Sequence, residues 1–262
     1  MRTIIVWTLL AALALAACEG AQTAAPTPAA TKAAVSGTDA EAGTGAEAGT
    51  GATTAEADAR RGPWRLVTLG DAYTAGYATE LPRRDSWPAQ VAESLKRAEM
   101  HVRPTNLAAR SVSSVEVLEL QVGQVEQIQP DVVTVQVGIN DLLYPETGYR
   151  DNLAGIFDRL LEVLPAERIF AITTPADASD TPGVDPEEAR ADIDRLNGVL
   201  IDVAAERGIE VIDIGLVNQL GDHDTSMGVE DGVYTYPSAK QYAGWAEVIG
   251  PYVYGALAAI EP

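Results

Sequence analysis

Few side chains in this sequence could carry nucleophilic attack or proton transfer. There are two histidines, His101 and His223, one cysteine, Cys18, and a run of hydroxyls at Ser111, Ser113 and Ser114. Acyl transfer needs a hydroxyl or thiol nucleophile, a base to take its proton, a carboxylate to orient the base, and donors for the developing oxyanion. The stretch "LVTLGDAYTAGY" has the right shape for such work, because an apolar run stops at Gly70 and Asp71 and then turns sharply. The side chain presented next, however, is the methyl group of Ala72. His223 falls in the acidic stretch "GDHDTSMGVED", eight residues before Asp231, and reads as a solvated loop residue. His101 reads as a residue at a strand entrance. Asp177, Asp180 and Asp185 read as loop residues and helix caps rather than a metal site. With two histidines and no thiol in the folded part, multi-histidine and thiolate metal centres are excluded, and no cofactor is expected.

The ends of the chain set its context. Residues 1–18, "MRTIIVWTLLAALALAAC", combine one cation (Arg2), an apolar run and small residues before a cysteine. That is a secretory signal, too short and wrongly flanked for a membrane span. Its end, "LAAC", resembles the lipobox of bacterial lipoproteins, which implies a lipid on Cys18 and an extracytoplasmic domain held at the membrane. Residues 19–62 collapse to Ala, Thr, Gly, Pro and Glu, with "EAGTGA" at 41–46 and again at 47–52. Such a composition buries nothing and predicts a disordered tether spanning about 35–40 Å. The formal charge of −20 disfavours nucleic acid as a partner.

From residue 63 to 262, strand-like and helix-like runs alternate. Strands are expected at Leu66–Leu69, in "HVRPTNLA", "DVVTVQVG", "RIFAITT" and "GIEVIDI". Helices are expected from Ser86 as N-cap, over Val115–Ile128, Tyr149–Leu164 and Pro186–Arg207, and from about Ser238 with a bend at Pro251. Five alternations predict an α/β fold, a three-layer α/β/α sandwich with a five-stranded parallel sheet. In such sheets the turns after the strands converge on one site. Here they are "GDAYTAG", "NLAARSVSS", "GIND" and "DGVYTYP".

Those four turns, in that order, resemble the blocks of the SGNH/GDSL hydrolases, a flavodoxin-like family of serine esterases, lipases and carbohydrate deacetylases. Gly70-Asp71-Ala72 stands for Gly-Asp-Ser, with Thr74 and Gly76 following. Asn106 matches the second block, but Ser111 occupies its glycine position. Gly138-Ile139-Asn140-Asp141 keeps the third block. Asp231-Gly232-Val233-Tyr234 keeps the spacing of Asp-x-x-His with tyrosine for histidine. Tyr236, directly before Pro237, is the other occupant that the pattern allows.

The resemblance implies that the nucleophile position is Ala72, the acid Asp231 and the base position Tyr234 or Tyr236. Oxyanion or ligand donors would be the N–H groups of Ala72 and Ser111 and the Asn140 carboxamide, with Asp71, Gly138 and Asp141 in support. A phenol near its ordinary pKa of about 10 is a poor base at neutral pH. Thr74 reads as turn support, and Ser111, Ser113 and Ser114 as loop hydroxyls that could face the cleft. The leading expectation is a lipid-anchored, non-catalytic module binding a small ligand (an acyl ester or acetylated carbohydrate) or an envelope partner. Two alternatives stay open: an esterase, lipase or carbohydrate O-deacetylase with a different nucleophile, and a structural envelope lipoprotein.

Overall fold

The computed structural model describes residues 63–143, 148–175, 185–215 and 236–260. The expected leader, Cys18 and the tether lie outside the described residues, as do Asp177, Asp180, His223, Asp231 and Tyr234.

Thirteen labelled elements carry the domain among the described residues. Strand β1 (Trp64–Gly70) is followed by three short or medium helices, α1 (Ala72–Ala75), α2 (Pro82–Asp85) and α3 (Trp87–Arg97). After β2 (Val102–Asn106) comes a composite helix, α4, made of Ser114–Glu116, a π-helical stretch Val117–Gln121, and Val122–Ile128. Next are β3 (Val132–Gln136), α5 (Ile139–Leu143), α6 (Tyr149–Leu161), β4 (Ile169–Ile172), α7 (Pro186–Ala205), β5 (Glu210–Ile212) and α8 (Ala239–Ala258).

The five strands form one parallel sheet in the order β2-β1-β3-β4-β5. The expected α/β class and strand number are therefore observed. Alternation along each strand divides the apolar side chains between two layers. Leu66 and Val132 face one layer with Trp87, Val91 and Leu95 of α3 and Trp245, Ile249 and Val253 of α8. Val67, Leu69, Val133 and Val135 face the other, against Val125 of α4, Leu153, Ile156 and Phe157 of α6, and Leu200 of α7. Strand β3 is buried along its whole length, which is why its sequence runs through four β-branched residues, Val132–Val135, instead of alternating. Each fully buried aliphatic side chain here contributes about 1.5–3 kcal/mol.

Two expectations are refined. The predicted helix over Val115–Ile128 contains the π-helical widening, which turns Gln121 inward toward the end of β1. Such single-turn widenings recur near functional sites. Pro251 lies inside α8, which continues as one helix from Ala239 to Ala258 with one fewer backbone bond at that turn.

The strand order places the reversal of direction between β1 and β3, since the chain leaves β1 for β2 on one side and returns to β3 on the other. In open sheets of this kind that point, beyond the carboxyl ends of the strands, is where ligands bind. The turns after β1, β2 and β3 carry Ala72, Ser111 and Asn140.

Candidate functional site

Gly70 closes β1 at φ +148, and a Cβ there would sit 2.1 Å from the Gln136 carbonyl oxygen. Only glycine lets two strand ends approach that closely. The buried amide of Gln121 then grips both polar groups of this residue. The Gly70 N–H donates to Gln121 Oε1 at 2.8 Å, and Gln121 Nε2 donates to the Gly70 carbonyl at 2.9 Å.

Asp71 caps the short helix α1, with its Oδ1 accepting from the Tyr73 N–H at 3.0 Å. Its side chain is fully buried, and Oδ2 makes no hydrogen bond of ordinary geometry among the described residues. Burial pushes the Asp71 carboxyl up to about 7, and the charge of Asp141 adds to this, while the N–H groups of Tyr73 and Gly138 oppose it. Thr74 is buried and donates to Gln136 Oε1 at 3.0 Å, an atom that also accepts from Trp87 Nε1 at 3.0 Å. Asn106 Nδ2 donates to the Thr74 carbonyl at 2.7 Å, which ties the second turn to the first. Ala72 sits in this scaffold, 3 % exposed. The apex is rigidly held and carries no hydroxyl.

The turn after β2 sorts its three serines. Ser113 forms a capping box with Glu116, whose carboxylate it also bonds through its hydroxyl. Ser114 is fully buried, giving its N–H and its hydroxyl to Asp141 and accepting from Asn152 Nδ2 at 2.9 Å. Both are held away from nucleophilic work. Ser111 is exposed and adopts φ +60, the left-handed conformation that glycine takes without strain. The loop has kept that backbone shape and put a serine in it.

In the third turn Gly138 lies at φ +145, where a Cβ would meet Leu196 Cδ2 at 2.4 Å and the Tyr149 hydroxyl at 2.9 Å. Asn140 Nδ2 donates to the Val112 carbonyl at 2.7 Å. One of its two amide hydrogens is thereby engaged, binding the third turn to the second.

Tyr236, half-buried, reaches the rim of the crevice. Its ring lies 6.0 Å from that of Tyr73, the neighbour of Ala72, and 4.8 Å from Tyr77 in an edge-on arrangement. Burial pushes its phenol above the ordinary tyrosine value, although Arg110 pulls it down. It is no base at neutral pH. His101 is exposed just before β2, and its carbonyl accepts from the Trp64 N–H at 2.8 Å. Asp185 caps α7 through the N–H groups of Glu187 and Glu188. Among the described residues, no group of three or more His, Cys, Asp or Glu is placed to hold a metal ion.

Sequence reasoning missed Gln121, Gln136 and Arg110. The two glutamines carry no local signature, since they lie inside a helix and at a strand end. Arg110 did have one signal, its place in the ligand-facing turn "NLAARSVSS".

Residues 68–243 match the family model of the GDSL-like lipases and acylhydrolases. No curated protein matches the chain. Among solved structures, TesA is similar at 18% identity with a TM-score of 0.59, over 74% of this chain and 99% of its own. The extracellular lipase from Streptomyces rimosus is similar at 17% identity and a TM-score of 0.59, over 74% of this chain and 99% of its own. A catalytic mutant of Axe2, an acetylxylan esterase from Geobacillus stearothermophilus, is similar at 17% identity and a TM-score of 0.56, over 76% of this chain and 95% of its own. At these identities the structures speak for the fold, and the family model, which spans more than half of the sequence, speaks for descent. The chain belongs to the GDSL-like lipase/acylhydrolase family.

Proposed function

We propose that this family member is a non-hydrolytic binding module, carried on a lipid-anchored chain, whose ligand occupies the crevice above β1, β2 and β3. The observation that carries the reading is a methyl group at Ala72 in a turn whose supports (Gly70, Asp71, Thr74, Asn106) are all retained. In a serine hydrolase, loss of the nucleophile alone costs on the order of a million-fold in turnover. A site kept in shape without its reagent is suited to recognition.

The second reading is a hydrolase with another nucleophile. Ser111 is the hydroxyl that favours it, being exposed in the loop and bonded to no described residue. No histidine among the described residues stands beside it to serve as base.

The test is a panel of acyl esters and acetylated sugars together with a fluorophosphonate probe. No turnover above background and no labelling are expected. Labelling that disappears in Ser111→Ala would overturn the proposal and name the nucleophile. The anchor is tested separately. A Cys18→Ser chain should leave the membrane fraction, and its retention there would mean that residues 1–17 hold it instead.

A further inference from the structure

Arg110 extends from the turn after β2, beside Ala109, whose N–H bonds the Gly70 carbonyl at 3.3 Å. Its guanidinium carbon lies 4.5 Å from the centre of the Tyr77 ring. Tyr77 meets Tyr236 edge-on, Tyr236 tilts against Tyr73, and Tyr73 is backed by Trp245 at 6.0 Å. The positive charge of Arg110 also pulls the Tyr236 phenol down against its burial. The cation is therefore seated on the Tyr77 ring face.

A guanidinium resting on an aromatic face keeps its in-plane N–H edge free. Among the described residues five arginines are matched by carboxylates, Arg65 by Asp131, Arg84 by Asp85, Arg150 by Glu206, Arg195 by Asp192 and Arg207 by Asp158, and Arg110 is one of seven that are not, set apart by its seat on an aromatic ring. Arg110 makes no ion pair with any described residue, on a chain whose formal charge is −20. A fork at the ligand end of the sheet, seated on a ring and neutralised by no described carboxylate, is a receptor for a planar anion.

Resting on the binding reading above, we infer that the ligand carries a carboxylate, which Arg110 takes in a bidentate pair while the rest of the ligand lies along the Tyr73, Tyr77 and Tyr236 ledge. A singly charged acid suits the site better than a phosphate dianion, because repulsion from a chain of formal charge −20 grows with ligand charge. The carboxylate could belong to a sugar acid or to an acyl chain, since both a sugar face and an alkyl chain pack on aromatic edges.

The experiment is calorimetric titration of the full chain in detergent with two acids and their neutral counterparts. Glucuronate is set against methyl glucoside, and hexanoate against hexanamide. At least one acid should bind about tenfold or more tightly than its neutral counterpart. Arg110→Gln should abolish that preference without moving the thermal midpoint, and Arg110→Lys should restore only part of it, because an ammonium keeps charge but not the planar fork. Whichever acid is preferred identifies the source of the carboxylate. Equal binding of acid and neutral form, no binding of either acid, a preference that survives Arg110→Gln, or inorganic phosphate binding as tightly as the acids would each overturn the inference. Equal binding would leave a ligand-binding crevice in place and remove only the carboxylate. Ester turnover in the same samples would instead defeat the non-hydrolytic reading, whatever Arg110 does.

Discussion

Replacing Asp71 by asparagine should change how the stability of the domain depends on pH. The carboxyl is fully buried, with one oxygen capping α1 and the other without a hydrogen bond of ordinary geometry among the described residues. Its folded pKa is about 7, above the ordinary value of 3.8, chiefly through burial. Asp141 and the phenols of Tyr73, Tyr149, Tyr236 and Tyr242 are the titratable neighbours that surround it. Below the lower value, both folded and unfolded chains hold the proton. As pH rises from there to about 7, the unfolded chain ionises while the folded one resists, so stability falls. About three pH units at roughly 1.4 kcal/mol each give a loss on the order of 4 kcal/mol. Asparagine cannot ionise, still accepts from the Tyr73 N–H, and is as good a cap as aspartate. Urea unfolding of both proteins from pH 4 to pH 8 measures the difference. The Asp71→Asn protein should gain on the natural one steadily across that range and level off above neutrality. Comparing the two cancels Asp85, Glu116 and Asp158, whose depressed pKa values make stability fall as pH falls. A difference that stays flat, or that shrinks as pH rises, would refute the reasoning and mean that Asp71 folds as an ordinary carboxylate.

Two further outcomes follow from the geometry. The Tyr242 hydroxyl is buried and has no hydrogen-bond partner among the described residues, so Tyr242→Phe should be neutral or stabilise by up to about 1 kcal/mol in denaturant melts; a loss of more than that would reveal a partner for the hydroxyl. Ala72→Ser alone should restore little ester hydrolysis, whereas pairing it with Tyr236→His or with Tyr234→His should add about 10²–10⁴-fold for whichever position meets the serine. Strong activity from Ala72→Ser by itself would mean that a base is already present and would make His223 the candidate.

The sequence by itself determined the sheet and the methyl group at position 72 of the Gly-Asp turn. Both rest on local patterns: the β-branched run of β3, the Gly-Asp turn, the alternation of strand and helix, and the identity of the residue at position 72. Period and turn chemistry act over a few residues, so they can be read along the chain. What the crevice can do was decided by contacts between distant segments. Gln121 reaches Gly70 across 51 residues and Gln136 reaches Thr74 across 62, and neither bond has a sequence pattern. Ser114, exposed-looking in "RSVSS", is buried because Asp141 and Asn152 arrive from two later helices to hold it. Arg110 became a seated cation only when the Tyr77 ring, which meets the distant Tyr236 edge-on, came beneath it. A side chain's ionisation and reactivity depend on the dielectric and charge packed around it, and that surrounding exists only once the chain has folded.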